Sequence, residues 1–242
     1  MSYQHLQNTL KAIAITLPAA RAFEMTVEFA LGEGKNTATV GRLEDHFRDR
    51  PPMKACIERM KADPATRRII EDRYMGPEMD LESLIGYPRG SLGYTYAKVM
   101  KHLGYTPHFY ADRPSIDEET YYVTMRVRKT HDFHHIATGF SMIGPGELGV
   151  IGITALQTGY PAFMTLDLGA IALGMMRVEG WGDQVRYVRR GWEMAERIKP
   201  LMGVRWEEGL DKPLDVWRRE LDIDPIYEGK NSWYTVLPGL DV

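Results

Sequence analysis

Sulfur chemistry is almost absent from this sequence. Its 242 residues include one cysteine, Cys56, which excludes an intrachain disulfide and a thiolate metal cluster and suits a reducing compartment. A lone cysteine of this kind reads as a small buried apolar residue. Excess charge is missing as well: 30 Lys and Arg face 33 Asp and Glu, for a formal net charge of -3. Basic runs such as Arg186-Tyr187-Val188-Arg189-Arg190 are dispersed among acids, so no nucleic-acid partner is expected. Met1 to Leu17 lacks the basic region and unbroken apolar segment of a signal peptide, which makes a cytoplasmic location the default expectation. The most apolar stretch, Pro161 to Val178, carries Asp167 near its middle and only just reaches membrane-spanning length. It is expected to be a buried helix.

Hairpin signals are missing too, and helical spacing dominates what is present. With 44% hydrophobic and 26% charged residues, the expectation is one all-α domain over residues 1–242. Helices are expected from Thr16-Pro18 to Leu31, then over Ala38 to Phe47, Met53 to Lys61 and, capped by Asp63, Ala65 to Arg73. Glycine and proline crowd Met75 to Gly93, a loop with a short helix around Leu81 to Ile85. A helix over Tyr94 to Leu103 follows. Ser115-Ile116-Asp117-Glu118 has the form of a capping box and should open a long helix to Gly139. Further helices are expected from Gly144-Pro145-Gly146 to Gly159, from Pro161, from Asp183 to Lys199, and from Pro213 to Leu221. The last twenty residues show no periodicity.

The long helix carries the chemistry. Residues four apart on a helix differ by about 40° around its axis, so His131 and His135 point the same way and can chelate one ion. Asp132 falls about 100° from His131 and about 60° from His135. Glu147 lies early in the next helix, where an antiparallel return brings its carboxylate back over the histidines. Imidazole with carboxylate suits zinc, iron or manganese. A polar face of solvated histidines is the alternative reading. His134, on the other side of His131, is expected to face solvent or to support the ligands.

Glu147 to Met176 is poor in charge, which implies burial on every side. Gly149, Gly152, Gly169 and Gly174 are costly inside helices, so either close packing or space for a ligand must offset them. Asp167 should pair with an arginine such as Arg126 or Arg177. A His-Asp metal phosphohydrolase is a competing reading that would enlist His102 or His108 with Asp167, leaving His135 and Glu147 unexplained.

His131-Asp132-x-x-His135, then Glu147 after eleven residues, resembles the signature of the Coq-four family of coenzyme Q (ubiquinone) biosynthesis proteins. Tyr87-Pro88-Arg89-Gly90-Ser91-Leu92-Gly93, Leu156-Gln157-Thr158-Gly159-Tyr160-Pro161, and Arg205-Trp206-Glu207-Glu208 through Arg219-Glu220-Leu221-Asp222-Ile223 are similar as well. The resemblance spans residues 87–223, and residues 1–86 are a less recognisable helical subregion. It implies a divalent ion held by His131, Asp132, His135 and Glu147, zinc first, with magnesium, manganese or iron as alternatives. It further implies a polyprenylated quinone precursor or related isoprenoid lipid as ligand, and oxidative decarboxylation of its hydroxybenzoate ring. Other quinone-biosynthesis proteins, a second copy of the chain and the inner face of a membrane are the implied partners. A non-catalytic lipid-binding scaffold is the alternative. Tyr121, Tyr122, Arg126, Arg128, Ile151, Ala155, Met164 and Leu168 are the candidate lining of the substrate pocket.

Overall fold

The computed structural model describes residues 18–31, 37–107, 115–176 and 182–242. Among them are twelve α-helices and no strand: α1 Pro18–Leu31, α2 Thr37–Phe47, α3 Pro51–Ala62, α4 Pro64–Glu71, α5 Leu81–Leu84, α6 Leu92–Leu103, α7 Glu119–Thr138, α8 Gly146–Thr158, α9 Pro161–Met175, α10 Gln184–Ala195, α11 Leu214–Glu220 and α12 Trp233–Val236. Two 3₁₀ turns, Leu201–Gly203 and Trp206–Gly209, lie between α10 and α11. The all-α expectation holds.

Local chemistry explains the boundaries. The Asp63 carboxylate accepts from the Thr66 amide at 2.7 Å and starts α4, and Ser91 does the same for α6 at Tyr94. Helix α7 starts four residues later than the capping box suggested. The Ser115 hydroxyl is engaged by Asp117, whose amide donates to it at 3.1 Å, so the hydroxyl closes a local turn instead of capping a helix. At its other end α7 stops on Gly139, whose φ is +83°. A Cβ there would run into the backbone of Ile226, so both conformation and space require glycine.

Helix α7 lies between two apolar clusters and supplies both. Its first half places Tyr122, Val123 and Val127 among residues of α1 to α4, α8 and α9. Its second half places Phe133, Ile136 and Ala137 among α6, Trp206, Trp217 and Trp233. Helix α8 is shared in the same way, with Ile151 and Ala155 in one cluster and Val150 and Ile153 in the other. Two arginines of α7 pass through these apolar surroundings in ion pairs. The Arg126 guanidinium meets Glu207 in a bidentate contact, 2.6 and 3.2 Å, and Arg128 pairs with Glu44, which also accepts from the Tyr160 hydroxyl at 3.0 Å.

The C-terminal residues are tied back to the middle of the chain. Phe140 and Ser232 form an isolated antiparallel bridge, flanked by Ser141 N–H to the Asn231 carbonyl, 2.8 Å, and Trp233 N–H to the Gly139 carbonyl, 3.0 Å. The residues after Ile223, aperiodic in sequence, thus include the short helix α12 and hold the turn that follows α7.

Burial on every side is correct for α8 but not for α9. Leu168 is 53% exposed and Met175 77% exposed, with Met176 beside it. Composition alone reports how apolar a helix is, not whether another element covers it. Among the described residues no helix is long and apolar enough to cross a membrane.

Candidate metal centre

His131 and His135 sit on successive turns of α7, and Glu147 lies in the first turn of α8. The return between the two helices brings all three side chains to one point. His131 Nε2 is 3.1 Å from Glu147 Oε2, His135 Nε2 is 3.1 Å from His131 Nε2, and His135 Nε2 is 3.4 Å from Glu147 Oε2. For a tetrahedral ion with bonds of about 2.0–2.1 Å, ligand atoms stand roughly 3.3 Å apart. The three edges of this triangle match that spacing.

The proton inventory of the site agrees. His135 Nδ1 lies 3.1 Å from the Phe140 carbonyl, a bond that only an N–H can make, which leaves Nε2 as the ring nitrogen that faces the triangle. Two imidazole nitrogens at 3.1 Å need a proton or a cation between them. His135 is fully buried, while the Glu147 side chain stays 27% exposed, so the triangle has one wet edge. Burial pushes the Glu147 carboxyl up, but the charge and hydrogen bonds of His135 and His131 outweigh it and carry it down to about 2. His131 moves the opposite way: burial lowers it, and Glu147 more than compensates. The site strongly favours a carboxylate facing a positive centre.

Asp132 does not join the triangle. It is half-buried, and the three donor atoms that converge come from His131, His135 and Glu147. It remains near enough for both histidines to oppose the upward push that burial gives its carboxyl. His134 departs from expectation as well. It is 1% exposed and neither ring nitrogen has a partner among the described residues; its ring stands 5.9 Å from that of Trp206. Burial, followed by the charges of His131, His135 and Arg126, pushes it well below the usual histidine range. It is a neutral core residue.

The candidate lining residues divide. Arg126 and Arg128 are spent in their buried pairs with Glu207 and Glu44. Tyr122 is fully buried and donates to the carbonyls of Ile69 and Tyr74, and Tyr121 accepts from Arg48 at 2.7 Å. These four hold α7 to its neighbours rather than lining an entrance. Ile151, Ala155 and the half-buried Met164 lie in the cluster that includes Phe163, whose ring is 5.6 Å from that of His131. Leu168 faces solvent.

The interior glycines answer to packing. A Cβ on Gly149 would meet the Phe140 ring, one on Gly191 the Gly149 carbonyl, and one on Gly169 the Thr26 side chain. Helices α8 and α10 therefore touch backbone to backbone. Among the described residues Asp167 finds Trp192, accepting from its indole N–H at 2.9 Å; Arg126 is committed to Glu207, and Arg177 and His108 lie outside the described residues. His102 is exposed at the end of α6, so the phosphohydrolase constellation is not assembled from it. Phe140 was not legible as a functional residue. The signal for it is indirect: the residue after a C-terminal glycine cap sits where its carbonyl can meet a histidine of the last helical turn.

Comparison with known proteins places these features. Ubiquinone biosynthesis protein COQ4, mitochondrial, from Eremothecium gossypii is 31% identical over 169 residues, 68% of this chain and 51% of the relative. Its namesake from Yarrowia lipolytica is 32% identical over 172 residues, 69% and 64% of the two chains. The chain thus spans about half to two thirds of the length of these relatives. A crystal structure from Nostoc punctiforme, described as that of a candidate ubiquinone biosynthesis protein, shares the fold with a TM-score of 0.71 at 23% identity, covering 84% of this chain and 97% of that one. The profile of the Coenzyme Q (ubiquinone) biosynthesis protein Coq4 family matches residues 19–227, so the match takes in most of the helices before Tyr87 as well, and the chain belongs to that family.

Proposed function

We propose that His131, His135 and Glu147 hold a divalent cation, zinc first, in an enzyme that oxidatively decarboxylates a polyprenyl-hydroxybenzoate. The observation that carries this reading is the triangle itself. Three protein ligands with one exposed edge are the arrangement of a catalytic ion that keeps a position for substrate, whereas a closed set of four marks a structural one. Membership of a ubiquinone biosynthesis family supports this substrate class.

In this reading the cation supplies positive charge against the ring carboxylate or the neighbouring phenolate. Zinc does not change oxidation state, so the electrons passed to dioxygen come from the electron-rich ring. The bond between ring and carboxylate breaks and carbon dioxide leaves; dioxygen takes the two electrons of that bond with two protons and departs as hydrogen peroxide, and water supplies the hydroxyl that takes the vacated position. The protein's own part is positional. The Phe140 carbonyl fixes the His135 ring, Phe163 walls the apolar side of His131, and Asp132 is the nearest further acid able to hold a proton. A prenyl chain would lie against the cluster that holds Phe163, Ile151, Ala155 and Met164.

The alternative is a non-catalytic lipid-binding scaffold that uses the same ion structurally. Turnover decides between the two. Metal-loaded protein, incubated aerobically with a polyprenyl-hydroxybenzoate, should release carbon dioxide and give the ring-hydroxylated product. The double variant His135→Ala, Glu147→Gln should lose both metal and turnover. Full metal in that variant defeats the ligand assignment; full metal without turnover in the parent protein defeats the enzyme reading and leaves the scaffold.

A further inference from the structure

A second concave site is lined by none of the residues of the triangle. It is a cavity of about 360 Å³ lined by Arg186, Tyr187 and Arg190 from the first turns of α10 and by Gly229, Lys230 and Asn231 from the loop before α12. That volume is within the range of small-ligand sites. Three cations meet here in a chain whose net charge is -3. Among the described residues Arg190 and Lys230 have no carboxylate within ion-pair distance, and Arg186 has only Asp183 at 3.8 Å, with both side chains well exposed.

One polar side chain of the lining is buried and incompletely bonded among the described residues. Asn231 is 1% exposed. Its side-chain oxygen accepts from Arg190 Nη1 at 3.4 Å, which fixes the amide the right way round, because the opposite orientation would set donor against donor. The amide nitrogen is then left buried with no partner among the described residues. A buried donor without an acceptor is costly, so its presence points to an acceptor that these residues do not supply. The loop is held rigidly enough to present it: the Asn231 carbonyl accepts from Ser141, and the Ser232 amide donates to the Gly229 carbonyl at 3.0 Å.

We propose that this cavity binds a phosphate-class anion, as the free ion or as the phosphate of a lipid headgroup. Guanidinium forks and an ammonium match the several oxygens and double charge of a phosphate monoester better than they match a single carboxylate, and the Asn231 amide supplies a further donor. The site is independent of the metal reading, since none of its residues belongs to the triangle.

The test uses the full chain loaded with zinc. Calorimetric titration with inorganic phosphate and with pyrophosphate at constant ionic strength should give saturable binding that chloride does not reproduce. Arg190→Gln with Lys230→Gln should weaken it by about tenfold or more. Asn231→Asp, which keeps the shape of the side chain while replacing its donor by a carboxylate, should do the same. Bound zinc and helical content should stay at the parental level in every variant. Sedimentation with phosphatidylcholine vesicles, with and without phosphatidic acid, separates the two sources. Vesicle binding that depends on phosphatidic acid and is reversed by pyrophosphate identifies a headgroup, and pyrophosphate binding with indifference to vesicles identifies a free anion. No saturable heat with either anion, together with vesicle binding unchanged by the substitutions, overturns the proposal.

Discussion

At the scale of single residues, Asp167 is the most exposed to test. It is wholly buried with one oxygen on Trp192 and the other without a partner among the described residues, and burial raises its carboxyl from an ordinary 3.8 to about 8, against the indole hydrogen bond. Below about pH 4 the folded and unfolded chains both carry the proton, and the group costs nothing. As pH rises the unfolded chain releases the proton first, so stability is lost progressively until about pH 8, where the penalty is complete. Four units at 1.36 kcal/mol each bound that penalty at roughly 5 kcal/mol. Asp167→Asn keeps the neutral form at every pH. Urea midpoints should show the variant gaining on the parent protein between pH 5 and pH 8.5, and a constant difference between the two would show that the native carboxyl is already ionised. Two members of the triangle, His131 and His135, were the most legible candidate ligands in the sequence, because they are four apart on one helix and need no knowledge of the rest. Arg126 and Arg128 were not legible. Their partners Glu207 and Glu44 are 81 and 84 residues away, and spacing along the chain carries no information about such pairs.

Among elements, α7 concentrates what the fold and the site share. Its boundaries show where local rules suffice and where they fail: Gly139 ended it as expected, but Ser115 did not start it, because Asp117 offers the hydroxyl a nearer partner. Helix α9 failed for a different reason. Its exposed Leu168 and Met175 and its buried Leu166 and Leu173 are equally apolar, and only the placement of α1, α8 and α10 separates them. The ion pairs of α7 give a prediction of their own. The Arg126 and Glu207 side chains are 1% and 0% exposed, and removing one member of such a pair leaves the other as an uncompensated buried charge, at about 3–5 kcal/mol. Glu207→Ala should therefore destabilise the protein by that amount in denaturant titrations. The double change Arg126→Met, Glu207→Leu should recover most of it, since no charge is then stranded. A double variant as unstable as the single one would show that the pair contributes through shape rather than charge.

For the molecule as a whole, the metal triangle joins two apolar clusters by way of α7 and α8, so occupancy should act on global stability. An ion that binds only the folded state at a free concentration of about 1,000 times its dissociation constant adds about 4 kcal/mol, roughly 10 °C in melting temperature for a chain of this size. Removing the ion with a chelator should lower the transition by that amount in the parent protein and leave His135→Ala unmoved; equal shifts in both would place the ion elsewhere. The two buried arginine pairs bear on how the chain is made. A chain synthesised from its N-terminus, with domains folding as they emerge, has Glu44 available when Arg128 appears, but Arg126 appears 81 residues before Glu207. Until Glu207 leaves the ribosome, the helix that carries both histidines has an unneutralised cation on one face and cannot bury it. The metal ligands are thus translated early and locked late, and an ion that reaches His131 and His135 before synthesis passes residue 207 meets a site whose helix is not yet clamped.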